Sequence, residues 1–369
     1  MANPITFLFK TGRSQRMEDQ EQHPTEFFYG YHQLAARGLP VTLLEEAALQ
    51  LDRRPTLTRL GGKLTPLIGI NVGVLRNLQT PAILAQLNRS AICVATTNTL
   101  GVHLALLRRL GRLQAPLLFL PMGLYQSASA LARTVLRWAL ATTKLAVISK
   151  GELAYLQAEL GIKPAQMRYL PFGVDQRFWT PAATLRPETG QAPYVLSVGN
   201  DAQRDYATLV RAWQPQFPQL KIVTRLPVPQ PLPANVEVIA GDWRQQLLSD
   251  EAMRTLFQQS LFVVLPIRPT PQPSGQSACL QAMACGKAVI LSHIQGLWDA
   301  ALMRDGENCL LPPPATVAAL QAAISQLLAN PGLATRLGQQ AHTTVCTHLN
   351  VDKMADALLS IIQETTEVQ

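Results

Sequence analysis

Short apolar runs rich in β-branched residues alternate with longer segments of helical periodicity along this 369-residue chain, and the alternation runs through twice. The first set of strand-like runs is ITFLFK (5–10), VTLLEE (41–46), AICVAT (91–96), PLLFLP (116–121), KLAVIS (144–149) and MRYLPF (167–172). Helical patterns lie between them at about 25–37, 67–87, 99–110, 127–142 and 151–160. The segment GVDQRFWTPAATLRPETGQA (173–192) breaks the rhythm and reads as a linker. The alternation then restarts with YVLSVG (194–199), LKIVT (220–224), VEVIA (236–240), LFVVLP (261–266) and AVILS (288–292). Helices are expected at 204–213, 250–259, 276–286, 315–329, 331–346 and 351–364. Such alternation with short connections specifies parallel sheets covered by helices on both faces. The expectation is an α/β chain of two Rossmann-like doubly wound domains, 1–172 and 173–346, facing each other across a cleft. Residues 347–369 are expected to form a final helix packing back on the first domain. Ligands in such folds sit at the C-terminal ends of the strands.

Composition excludes several classes. With 47% apolar and 15% charged residues, the chain has too much to bury to remain disordered. Its most apolar stretch, Leu64 to Leu87, is interrupted by Pro66, Arg76, Asn77 and Pro81, so no spanning helix is expected. The opening MANPITFLFKTGRSQR reads as a strand and a polar loop without a basic leader. Cys93, Cys279, Cys285, Cys309 and Cys346 have no metal-ligand spacing and fit buried thiols of a reducing compartment. These features predict a cytoplasmic protein.

The net charge of +8 is unevenly placed. Residues 1–172 carry 19 Lys+Arg against 9 Asp+Glu, and residues 173–369 carry 13 against 15. From Arg53 to Gly151 there are thirteen basic residues and no acidic one. Such a surface attracts anionic partners. The basic residues are interleaved with Leu, Ile and Val rather than stacking aromatics, so nucleic acid is not expected. Segments such as LTRLGGKLTPLIGINVGVLRNL and HLALLRRLGRL read as interfacial and amphipathic, which makes an anionic membrane surface one partner. An ordinary arginine-rich surface with no partner is the other reading of the same charges.

The most informative stretch is LPIRPTPQPSGQSACLQAMACGKAVILSHIQGLW (265–298). A buried strand leads into a Pro-rich loop with Ser274 and Gly275, and then into a helix beginning near Gln276. A helix N-terminus leaves backbone N–H groups unpaired and carries the positive end of the helix dipole, which suits a phosphate. A turn and helix cap without a ligand would have the same sequence.

QAMACGKAVILS resembles the E-A-M-A-x-G-x-P-V-I segment of the family 4 glycosyltransferases, the group 1 retaining enzymes of GT-B fold. DGENCLLPPPATVAALQAAISQLLANPGLATRLGQQA (305–341), YVLSVGNDAQRDYATLVRAW and YLPFGVDQRFWTP are similar to further segments of that family. EFFYGYHQLAARGLPVTLLEE resembles its first N-terminal helix and second strand. The resemblance is specific from Tyr194 to Ala341 and looser before Ser149.

What the resemblance implies is transfer of a hexose from a UDP- or GDP-sugar to a lipid-linked or saccharide acceptor, with retention at the anomeric carbon. No cofactor and no metal are implied, and the sequence has no Asp-x-Asp. A leaving diphosphate is then neutralised by protein cations and amides. The family's Arg and Lys after the first strand of the donor domain correspond to Asn200 and, one residue out of spacing, Arg204. Arg204 is expected to clamp the diphosphate, helped by the amides of Gln276, Ser277 and Ala278. The other reading of Arg204 is a helix-start residue paired with Asp201 or Asp205. Ser274 and Gly275 complete the donor loop. Trp243, after Gly241 and Asp242, stands where the family contacts the base, and a buried core tryptophan is its other reading.

The chain also departs from the family. Its two glutamates, seven residues apart, correspond to Pro273 and Gln281, of which only Gln281 can still hydrogen-bond to a ribose. QEQHPTEFFYG stands in place of the Gly-Gly loop, and Met122 in place of a histidine. His23 and His103 remain as N-domain histidines that could face the cleft, although a lone histidine near a helix start more often has a structural role. These losses sustain an alternative, a catalytically inactive GT-B protein that binds a nucleotide sugar or a partner enzyme. Another sugar-nucleotide reaction on the same fold is a third reading.

Overall fold

The computed structural model describes residues 3–17, 23–49, 55–124, 129–182, 192–241 and 247–367. The chain forms two compact units. Met1–Glu18, Phe28–Pro171 and Met354–Gln369 make the first, and Asp19–Phe27 with Phe172–Lys353 make the second. A piece of the N-terminal sequence thus belongs to the second unit.

The first unit contains six parallel strands, β1 (Ile5–Phe9), β2 (Val41–Glu45), β3 (Ile92–Ala95), β4 (Leu117–Phe119), β5 (Lys144–Val147) and β6 (Met167–Tyr169). Their order is β2-β1-β3-β4-β5-β6. All six expected strands are present. β1, β3 and β4 are wholly buried, consistent with a sheet covered on both faces. Around it lie α1 (Tyr31–Ala36), α2 (Pro55–Ile68), α3 (Val72–Leu78), α4 (Pro81–Asn88), α5 (Asn98–Arg109), α6 (Ala130–Leu140) and α7 (Lys150–Leu160).

Two helix expectations are corrected. The apolar pattern over 67–87 resolves into the end of α2, then α3 and α4. Asn71 caps α3 by accepting from the N–H groups of Gly73 and Val74, and Pro81 opens α4. The helix expected from residue 25 starts only at Tyr31, because Tyr29 and Gly30 both turn to positive φ.

The second unit contains β7 (Tyr194–Val198), α8 (Tyr206–Ala212), β8 (Gln219–Thr224), β9 (Val236–Ala240), α9 (Asp250–Gln259), β10 (Val263–Leu265), α10 (Gln276–Ala284), β11 (Val289–Leu291), α11 (Val317–Ala329) and α12 (Pro331–His348). Its parallel strands are ordered β11-β10-β7-β8-β9. The chain moves outward from β7 through β8 to β9 and then returns to the other side of β7 as β10. The topological switch point is therefore the β7/β10 gap, where open α/β sheets place ligands. A last helix, α13 (Val351–Glu367), enters the first unit from Met354 onward. There Asp356 pairs with Arg37 at 2.7 Å and Glu364 with Arg168 at 2.8 Å. Among the described residues no helix is long and apolar enough to cross a membrane.

Candidate active site

At the β7/β10 switch point the chain leaves β7 through Gly199 and reaches Arg204, whose side chain is only 4% exposed. The guanidinium lies between two glycines. A Cβ on Gly199 would fall 1.9 Å from Arg204 Nε, and one on Gly275 would fall 2.9 Å from Nη1. A side chain at either place would push the guanidinium aside, and both residues have positive φ. Arg204 Nε stands 2.9 Å from Asp201 Oδ2. Nη1 is buried with no hydrogen-bond partner among the described residues. A buried cationic N–H without an acceptor is costly unless something occupies the space before it. Of the two readings of Arg204, the pairing with Asp201 is present, and Nη1 lies beside Gly275 at the start of α10.

The surrounding loops are braced. Asp205 N donates to Pro266 O at 2.9 Å and Arg268 N to Gln203 O at 2.8 Å, locking residues 203–205 to the exit of β10. Ser274 Oγ hydrogen-bonds Asp201 Oδ1, joining the loop after β7 to the loop before α10. Gly275 precedes α10, whose first helical bond is Cys279 N to Gly275 O at 2.9 Å. Gln276 N turns back to Pro273 O at 3.3 Å, so of the three expected amides Gln276 is already engaged. Ser277 and Ala278 lie in the first turn of α10, where a helix offers its N–H groups no internal acceptor. The positive end of α10, these two amides and Arg204 form one anion-directed cluster.

Other expected site residues take different places. Asn200 is a loop clasp: its Nδ2 donates to Gly241 O at 2.8 Å, and its Oδ1 accepts from Arg225 N at 2.7 Å and Thr224 Oγ1 at 3.2 Å. It ties together the exits of β7, β8 and β9, and its amide is occupied by the scaffold. Gln281 Nε2 donates to Glu26 Oε1 at 2.9 Å. Trp243 and Asp242 lie outside the described residues. His103 is an interior residue: Nδ1 contacts Thr99 O at 2.6 Å, Nε2 contacts Asn71 N at 2.8 Å, and burial lowers its pKa. Only 3% of it is exposed. His23 pairs with Asp250 at 2.8 Å within the second unit.

Glu26 was not expected. It lies in the piece of N-terminal chain that joins the second unit, fully buried. Its carboxylate accepts from Trp179 Nε1 at 2.9 Å, Gln281 Nε2 at 2.9 Å and Asp175 N at 3.3 Å. Burial raises its pKa, while the bonds from Gln281 and Trp179 oppose the rise.

In the first unit, the loop after β4 is fixed from two sides. Asn98 accepts from Met122 N at 3.1 Å and donates to Met122 O at 2.8 Å. Glu152 Oε1 accepts from Gly123 N at 2.6 Å and Leu124 N at 3.2 Å, while Oε2 is buried with no partner among the described residues. Burial pushes the Glu152 carboxyl up to about 7 against the pull of those two N–H groups. A carboxyl whose folded pKa exceeds its unfolded value binds more protons folded than unfolded between the two, so stability falls as pH rises through that range. Between pH 5 and 8, Glu152→Gln should therefore flatten the fall in Tm that the native protein shows. Parallel thermal melts across that range check it, and identical slopes would contradict the buried carboxyl.

Among the described residues no three His, Cys, Asp or Glu side chains cluster to hold a metal ion. Cys93, Cys279, Cys285 and Cys309 are buried free thiols, and burial raises the pKa of each.

Residues 192–330 match the model of the glycosyl transferases group 1. No curated protein matches the chain. Among solved structures, sucrose-phosphate synthase from Thermosynechococcus elongatus superposes with a TM-score of 0.72 at 20% identity, covering 100% of both chains. Anabaena HepE in complex with UDP-glucose superposes at 0.64 and 16% identity, over 99% of this chain and 100% of that one. WaaG, a glycosyltransferase involved in lipopolysaccharide biosynthesis, gives 0.63 and 15%, over 97% and 99%. The fold of the chain is that of the GT-B glycosyltransferases, and over residues 192–330, which include Arg204 and the loop before α10, it is similar to the group 1 glycosyl transferases.

Proposed function

We propose that this protein is a retaining, metal-independent glycosyltransferase that moves a hexose from a UDP- or GDP-sugar to a lipid-linked or saccharide acceptor. The observation that carries the reading is the Arg204 guanidinium, buried between Gly199 and Gly275, its Nη1 beside the start of α10 and without a partner among the described residues. As the bond from the anomeric carbon to the β-phosphate oxygen breaks, negative charge grows on the departing diphosphate. A preorganised guanidinium and two helix-start amides lower the barrier by stabilising that charge. The acceptor hydroxyl forms the new bond on the same face and passes its proton to the departing β-phosphate oxygen. The UDP-glucose bound by HepE supports a nucleotide-sugar donor here.

Incubating the purified protein with UDP-glucose or a GDP-hexose, without acceptor, tests turnover. Slow release of nucleoside diphosphate is expected. Binding of the donor with no release, even with acceptors supplied, would favour the inactive GT-B reading. That second reading rests on Pro273 and Gln281 in place of the family glutamates, and on the engagement of Gln281 Nε2 by Glu26.

We further propose that the first unit works as a peripheral protein on an anionic, cytoplasmic membrane face. On α2, Leu60, Lys63 and Leu67 form an exposed stripe, with Arg59 beside it. On α6, which packs against α2, Leu131 and Trp138 are exposed on one stripe, with Arg137 next to it. The Arg109 guanidinium lies 5.5 Å from the Trp138 ring centre. Apolar and aromatic groups exposed among cations suit the headgroup region of a bilayer. Co-sedimentation with phosphatidylglycerol vesicles should be strong at low salt and weaken as salt rises. Equal binding to neutral vesicles, or none to anionic ones, would overturn it.

A further inference from the structure

A cavity of about 650 Å³ opens in the second unit at the end of the sheet where β10 and β11 begin. Arg204 and the start of α10 stand at the opposite end, where those strands finish. The cavity is bounded by the residues that lead into β10 and β11, by the α11–α12 corner and by one side of α12. Its volume is in the range that holds a small organic molecule. Phe262, Leu327 and Leu328 give it an apolar wall, while Thr335 and Gln339 add polar groups from α12.

One group makes this cavity chemically specific. Among the described residues that line it, Lys287 is the only Lys, Arg, Asp or Glu. Its Nζ donates to Ser260 O at 2.9 Å, which uses one of three donors. No carboxylate among the described residues pairs with it. Burial lowers its pKa, as expected for an ammonium group removed from water without a counter-charge. A partly buried cation against an apolar wall, with no counter-charge among the described residues, is complementary to an anion carried on an apolar body.

We propose that this cavity binds a small monoanionic amphiphile, one carboxylate or phosphate on an apolar chain or ring, with Lys287 holding the anionic group. The site is independent of the donor reading, since it shares no residue with the cluster at Arg204.

The test is calorimetric titration of the full chain with octanoate, octyl phosphate and the neutral octanol. Either anion or both should bind at least about tenfold more tightly than octanol, because only they compensate the ammonium group. Which anion binds more tightly identifies the head group. Lys287→Met should remove that advantage, and Gln339→Trp, at an exposed position on the cavity side of α12, should weaken all three ligands without touching the charge. Saturating UDP should leave the affinities unchanged. Absence of binding, octanol matching the anions, an unaffected Lys287→Met protein or displacement by UDP would each overturn the proposal. If Lys287→Met does not fold, the Gln339→Trp and octanol comparisons decide alone.

Discussion

Arg204→Ala is expected to lower kcat for sugar transfer by about 100- to 1,000-fold, the cost of removing one preorganised donor from a developing anion. The guanidinium should be irreplaceable for a geometric reason. It lies between Gly199 and Gly275, neither of which has a side chain that could take its place. The loss should appear more in kcat than in KM, because the charge on the leaving diphosphate is greatest in the transition state. Arg204→Lys keeps the charge but presents one ammonium group in place of a planar fork, and an intermediate loss is expected. Folding should survive both changes, since the partner left behind, Asp201, is 40% exposed and also bonds Ser274. Steady-state kinetics of the three proteins check this. A fall in kcat below about fivefold for the alanine variant would remove Arg204 from the chemistry.

The second large effect concerns stability. Glu26→Ala should destabilise the second unit by about 3 kcal/mol or more, lowering its Tm on the order of 10 °C. Three buried N–H donors, from Trp179, Gln281 and Asp175, converge on this one carboxylate. Removing it leaves all of them unsatisfied and opens a void beside Trp179, which is 1% exposed. Glu26→Gln should cost less. Its single oxygen can serve the two donors on Oε1, but its NH₂ group then meets the Asp175 N–H. Differential scanning calorimetry of native, Gln and Ala proteins should rank them in that order. Equal melting of all three would mean that the network contributes nothing to the fold.

These two residues also mark where the sequence is legible and where it is not. Strand–helix alternation is a local signal, and it located all eleven strands because each is a short apolar run closed by Gly, Pro or a polar turn. The same signal failed over 67–87, where Leu, Ile and Val continue across two helix boundaries set by single residues, Asn71 and Pro81. Arg204 was legible through the resemblance of the segment after β7, although its spacing differs by one. Its burial was not, because that depends on Gly199 and Gly275 approaching from two separate loops. Asn200 occupies a family position but closes three loops on itself, which no local pattern reports. Glu26 had no signal at all. Its partners stand 149 to 255 positions away along the chain, and a glutamate ahead of an aromatic pair reads as an ordinary surface residue.

The most direct test of the account compares a nucleoside diphosphate with its monophosphate on the native protein. Arg204 and the start of α10 are assigned to the diphosphate, so UDP or GDP at 100 times its dissociation constant should stabilise the protein by about 2.7 kcal/mol. The matching UMP or GMP at the same concentration should shift the melting temperature far less, and Arg204→Ala should erase the difference. A diphosphate and a monophosphate that stabilise equally, or no stabilisation by any nucleoside diphosphate, would contradict the assignment.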